Sequence, residues 1–94
     1  MKVKNINGTS QNSCKCESWI KHWRNYSGQS ATVCRVSGCT NKDIVGAHVQ
    51  KSANYDNKWY IVPFCNSHNK SKISVDLVSG TKLVSANVKN TCGK

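Results

Sequence analysis

Two short chelating pairs constrain this chain more than anything else in it. Cys34 and Cys39 are separated by four residues that include Gly38 for the turn, and Cys65 and His68 are separated by two. Zinc takes four soft or borderline ligands in a tetrahedron, and short loops of this kind supply them in pairs. The spacing predicts a structural Cys3His zinc site built from Cys34, Cys39, Cys65 and His68. The intervening segment is about long enough for a β-hairpin, which would make the arrangement a treble clef. Metal binding would then contribute directly to folding, because the ligands converge only in the folded chain. The competing reading is four side chains with no metal, reduced or disulfide-linked.

A staple of some kind is expected here. The 94 residues suit one domain, 1–94, and only 37% of them are hydrophobic, with a single Phe and a single Met. So small a chain has little stability to draw from apolar burial alone. Disulfides would need an oxidising compartment, and residues 1–10 hold no apolar run of the length a signal peptide uses. No stretch approaches a transmembrane span either. The expectation is a reduced, cytoplasmic chain stapled by zinc. Cys14, Cys16 and Cys92 remain, and together with His22 they could form a second Cys3His site that ties the two ends together. Three unpaired thiols, or one terminal disulfide, is the alternative, with His22 packed between Trp19 and Trp23.

Charge narrows the choice of partner. Fourteen Lys and Arg stand against four Asp and Glu, a net charge of +10, and twelve of the fourteen are Lys. Lysines suit general attraction to a polyanion better than bidentate reading of bases. Nucleic acid is the partner such a surface most often meets, and a merely solubilising surface is the plainer reading. No basic amphipathic helix suggests a membrane face.

Coarse organisation follows. Residues 1–13 read as a polar arm, and residues 14–31 as a Cys- and Trp-rich helical segment. Within that segment Trp19, Trp23 and Tyr26 lie on one helical face, with Ser18 placed to cap the start and Gly28 to end it. Trp19 and Trp23 are expected in the core. Residues 44–49 and 59–64 read as strands, with Pro63 at an edge or strand end because it cannot donate to a ladder. Residues 65–72 predict a turn leading into a short helix. Residues 73–78 and 82–88 alternate as strands do, and Ser79-Gly80 between them predicts a C-terminal hairpin, covering 74–94. The fold class expected is small α+β, with a zinc-stabilised core, an N-terminal helix and a C-terminal β-hairpin.

With the zinc pairs placed, Gly46-Ala47-His48-Val49 and the run from Tyr60 to Lys72, Tyr-Ile-Val-Pro-Phe-Cys-Asn-Ser-His-Asn-Lys-Ser-Lys, resemble the core of the HNH endonuclease family. The resemblance covers residues 32–73. It implies a ββα-metal fold braced by the zinc knuckles, with His48 as the general base and Asn69 as the last ligand of a catalytic Mg²⁺ or Mn²⁺. A histidine of ordinary pKa suits proton abstraction near neutral pH. It also places Lys72 in the helix, facing phosphate. Two positions depart from the family pattern. Ala47 stands where the family has a metal-binding side chain, and Tyr60 where it has its middle asparagine.

Three functions are therefore in view. The first is a zinc-stabilised nucleic-acid-binding domain with weak or no cleavage activity. Lys51, Lys58, Lys70 and Lys72 would contact phosphate, DNA being the expected target, and Tyr55 or Trp59 would stack on bases. The second is an active divalent-metal endonuclease, with Asp43 or Asp56 replacing the missing ligand. The third is a small interaction protein that binds a larger enzyme of nucleic-acid metabolism.

Overall fold

A computed structural model describes residues 2–6, 18–52, 58–71 and 73–86. Among these the chain forms β1 (Lys2–Asn5), α1 (Trp19–Ser27), β2 (Ile44–Lys51), β3 (Tyr60–Cys65), α2 (Asn66–Lys70), β4 (Ser74–Asp76) and β5 (Val84–Ser85). The strands make one five-stranded sheet in the order β4-β1-β2-β3-β5, with every pairing antiparallel. The fold is thus small α+β, as expected.

The helix α1 forms where its caps place it. The Ser18 hydroxyl accepts from the Lys21 backbone N–H at 3.2 Å, and Gly28 takes the left-handed conformation at φ 69° that lets the chain turn away. The helix lies across one face of the sheet. Trp23 is fully buried there with Ala31, Ile61 and Val84, and its indole N–H donates to the Lys82 carbonyl at 2.8 Å. Trp19 packs onto that cluster half-buried.

The opposite face carries the second apolar cluster. Successive side chains on a strand point to opposite faces, so Val3, Ala47, Val49, Val62 and Phe64 line this side, joined by Cys34, Val36, Cys65 and Leu77. The helix α2 covers part of it. The Phe64 and His68 rings meet edge to face at 6.3 Å, and the Asn5 side-chain amide donates to the Asn69 carbonyl. The sheet thereby carries an apolar cluster on each face, with α1 on one side and α2 on the other.

Two expectations are corrected. Residues 2–5 are no arm: they form β1, seated between β2 and β4, with Val3 fully buried. Residues 7–13 lie outside the described residues. Nor do the last strands make a hairpin. β4 pairs with β1 and β5 with β3, so they occupy opposite edges of the sheet. Residues 87–94 lie outside the described set. The turn at Ser79-Gly80 exists, with Gly80 at φ 84°, but it opens a crossing between edges rather than closing a pair. Pro63 behaves as expected. β5 reaches only Tyr60 and Ile61, and beyond it the Pro63 carbonyl accepts from the Arg35 N–H at 2.9 Å.

The contact between α1 and the sheet depends on Gly46. A methyl group added there would lie 2.4 Å from the Trp19 carbonyl carbon and 2.5 Å from the Ile20 nitrogen, both backbone atoms that cannot swing aside. Gly46→Ala is expected to cost about 1–3 kcal/mol, the usual penalty of overpacking, read as a lower midpoint of thermal unfolding. An unchanged midpoint would mean that α1 does not press on β2 at this point.

Candidate metal centre

The cluster is assembled from two places in the fold. Cys34 and Cys39 sit on the loop between α1 and β2, which is pinned on both sides. The Cys34 N–H donates to the Asn41 carbonyl at 2.9 Å, and the Cys39 N–H to the Val36 carbonyl at 3.0 Å, closing a tight turn with Gly38 at φ 83°. Val36 bridges to Leu77, and the Ser37 N–H donates to the Asp76 carbonyl at 2.8 Å. Cys65 is the last residue of β3 and the residue that caps α2, and His68 lies one turn later on that helix.

These elements bring four ligand atoms together. Cys65 Sγ lies 3.2 Å and Cys34 Sγ 3.5 Å from His68 Nδ1, while Cys39 Sγ is 4.0 Å from Cys65 Sγ. All four lie within 4.8 Å of one another. Cys34 and Cys65 are buried, and Cys39 and His68 are half-buried. No disulfide joins the three cysteines. The Cys3His group can hold a metal ion such as zinc, and its donor set is complete, with four protein ligands.

The surroundings prepare the thiols unequally. Burial works to raise the Cys65 pKa, but the Asn41 amide, the His68 backbone and ring, and Cys34 all stabilise its thiolate and bring it down to about 6. Cys34 is pushed up to about 11, first by burial and then by the neighbouring Cys39 and Cys65 sulfurs. Adjacent thiolates resist ionising together, and a bound cation removes that resistance. Asn41 supports two ligands at once, through its carbonyl to Cys34 and its side-chain amide to Cys65 Sγ at 3.5 Å. Sequence reasoning missed it, since an asparagine two residues past Cys39 in a polar loop carries no distinctive signal. Asp43, suggested as a substitute ligand for a catalytic ion, instead accepts from the Asn66 N–H at 3.3 Å.

The other predicted site residues are dispersed. His48 is 5% exposed on the α1 face of the sheet, with its ring against Trp19 at 4.6 Å and Trp59 at 6.4 Å. Its Nε2 is buried without a hydrogen-bond partner. Asn69 belongs to α2, against the other face, and its carbonyl is engaged by Asn5. The two side chains are held by elements on opposite sides of the β2–β3 pair and do not converge. Ala47 and Tyr60 point away from His48, and the Tyr60 ring lies 5.1 Å from Lys51 Nζ. Lys58 and Lys70 are exposed, and Lys51 is half-buried. His22 is fully buried and donates from Nε2 to the Ser85 carbonyl at 2.9 Å, with its ring between Trp19 and Tyr26. Its proposed companions Cys14, Cys16 and Cys92 lie outside the described residues, as do Lys72, Tyr55 and Asp56. No described helix is long and apolar enough to cross a membrane.

Comparison of the chain with protein-family models, with curated proteins and with solved structures finds no match.

His48 makes stability depend on pH. Burial, and secondarily the charge of His22, push its pKa from 6.5 down to about 4. Between those values the unfolded chain binds a proton that the folded chain does not, so stability falls as pH falls through that window. Wild type should lose about 2 kcal/mol more than His48→Gln between about pH 7 and about pH 5, measured by urea unfolding of both proteins. Equal losses would mean that His48 is not held neutral in the fold.

Proposed function

We propose that this chain is a zinc-braced nucleic-acid-binding domain, similar in plan to the HNH endonucleases but lacking their strand-cleaving chemistry. Zinc suits the four ligands on dimensions. With Zn–S about 2.3 Å and Zn–N about 2.0–2.1 Å, the edges of a tetrahedral site measure about 3.8 Å between sulfurs and about 3.6 Å from sulfur to nitrogen. The separations of 4.0, 3.5 and 3.2 Å in the cluster lie close to those edges. Four protein ligands leave no open position, which is the pattern of a structural ion rather than a catalytic one. One ligand pair on a tight turn and the other at the start of a helix is the treble-clef plan. Its thiols fit a reducing compartment such as the cytoplasm.

The absence of cleavage is argued from His48. A general base must reach the proton it abstracts and have a pKa near the working pH. His48 is buried under α1, its pKa is down at about 4, and Asn69 stands on the other side of the sheet. Ala47 supplies no donor for a hard cation, which is usually held with the help of carboxylates. The imidazole serves instead as packing between two indoles.

Nucleic-acid binding is argued from charge. Lys2, Lys4, Lys21, Arg24, Lys42, Lys58, Lys70 and Lys82 are exposed, and the chain carries +10 overall. Neutralising several phosphates makes binding steeply salt-dependent.

The test is a cleavage and retardation assay on plasmid, duplex and single-stranded substrates, with zinc-loaded protein, added Mg²⁺ or Mn²⁺, and His48→Ala alongside. Expected are retarded nucleic acid, no cleavage, and affinity that falls by on the order of a hundredfold or more between about 50 and about 200 mM salt. Metal-dependent cleavage lost in His48→Ala would establish a nuclease instead. No retardation at moderate salt would favour a protein partner.

A further inference from the structure

The helix α1 packs over β2, β3 and β5, while Lys2 and Lys4 on β1 and Trp59 just before β3 are exposed. Register shows that these residues share a strip of the sheet. Lys4 stands opposite Gln50, and Val49 stands opposite Tyr60, so one residue further Trp59 falls opposite Gln50. The Ala86 N–H donates to the Trp59 carbonyl at 3.0 Å, which continues the β3–β5 pairing to this residue. Lys4, Gln50 and Trp59 therefore form one row across three strands. The contact of the Trp59 ring with His48 places the row on the α1 face. Neighbouring strands are about 4.8 Å apart, so Lys4 and Trp59 are about 10 Å apart across the row. Lys2 lies on the same side one step along β1, and Lys58 directly precedes the indole.

Trp59 is 39% exposed, a large apolar ring at the surface of a very basic chain. It is also rigidly backed. His48 touches both Trp59 and Trp19, Trp19 touches His22, and His22 touches Tyr26, with ring-to-ring steps of 6.4, 4.6, 5.0 and 5.2 Å. The ladder begins and ends on exposed rings, since Tyr26 is 47% exposed. Between them the rings are buried or half-buried, so the two outer faces are held without costly ordering on contact.

We propose that this strip binds single-stranded nucleic acid, with bases stacking on Trp59 and Tyr26 and phosphates meeting Lys2 and Lys4. It rests on the nucleic-acid reading above and adds the strand form and the surface. An aromatic ring beside a line of cations suits unpaired bases, whose faces are open, and offers little to a duplex, whose bases are stacked on each other. Lysines that act as point charges fit a backbone read without sequence.

The test uses full-length zinc-loaded protein with a fluorescent oligo-dT, an oligo-U of the same length, and a duplex of matched length. Trp59→Ala should weaken binding of both single strands about five- to a hundredfold, and Tyr26→Ala should weaken it in the same direction. Trp59→Phe should keep most of the affinity, and duplex binding should be unchanged in all three. Lys4→Ala should lower the salt slope by about one. Quenching of indole fluorescence by iodide supplies a readout in wild type, and oligonucleotide should protect the component that Trp59→Phe removes. If the oligo-dT and oligo-U arms differ, the 2′-hydroxyl or the thymine methyl is read as well. If wild type binds and Trp59→Ala and Tyr26→Ala bind as tightly, or Trp59 gains no protection, the surface is wrong while the nucleic-acid reading stands. If wild type retains no polynucleotide, both fall together.

Discussion

Convergence of Cys34, Cys39, Cys65 and His68 is the constraint on which the rest of this structure depends. Cys65 ends β3 and starts α2, so fixing its sulfur fixes where the strand stops and where the helix points. Cys34 and Cys39 hold the long loop after α1 against that corner, and the loop in turn pins residues 76–78 through Val36, Ser37 and Arg35. Through those contacts the cluster bears on β4, which lies at the far edge of the sheet beyond β1 and β2. An ion at this corner would tie together segments that apolar contacts alone join weakly, in a chain with one Phe and one Met.

The two faces of the sheet then take different roles. One is closed by α2 and the cluster, and it holds most of the aliphatic core. The other is closed by α1, whose close approach at Gly46 brings Trp19 down onto His48. The imidazole is packed between two indoles and held neutral by burial. The residue that carries the resemblance to a nuclease is thus one the fold has buried. Its adjacent residue Ala47 faces the α2 side without a donor. Resemblance in a short motif and arrangement of the side chains point in different directions here, and the arrangement governs chemistry.

The cluster was legible because chelate spacing is local: a four-residue and a two-residue interval describe loops, whatever lies between them. α1 was legible for the same reason, through Ser18, Gly28 and the spacing of its rings. What could not be read was pairing between distant segments. Lys-Val-Lys-Asn offers one apolar residue in four, yet Val3 sits at the bottom of the core because β2 and β4 flank it. The alternation around Ser79-Gly80 looks like a hairpin locally, but Val75 and Val84 have different cores to fill, on opposite edges of the sheet. The side on which His48 lies depends on register and on where α1 returns to the sheet, neither of which a motif records.

Whether the fold depends on the cluster is measured by titrating zinc into the reduced, chelator-stripped chain while following near-ultraviolet circular dichroism of its indoles. Trp23 is fully buried between α1 and the sheet, so its signal reports their assembly. A weak signal is expected without metal, rising with added zinc and abolished by Cys65→Ser. A full native signal in the stripped chain, unchanged by zinc, would show that the fold does not depend on a metal at this cluster.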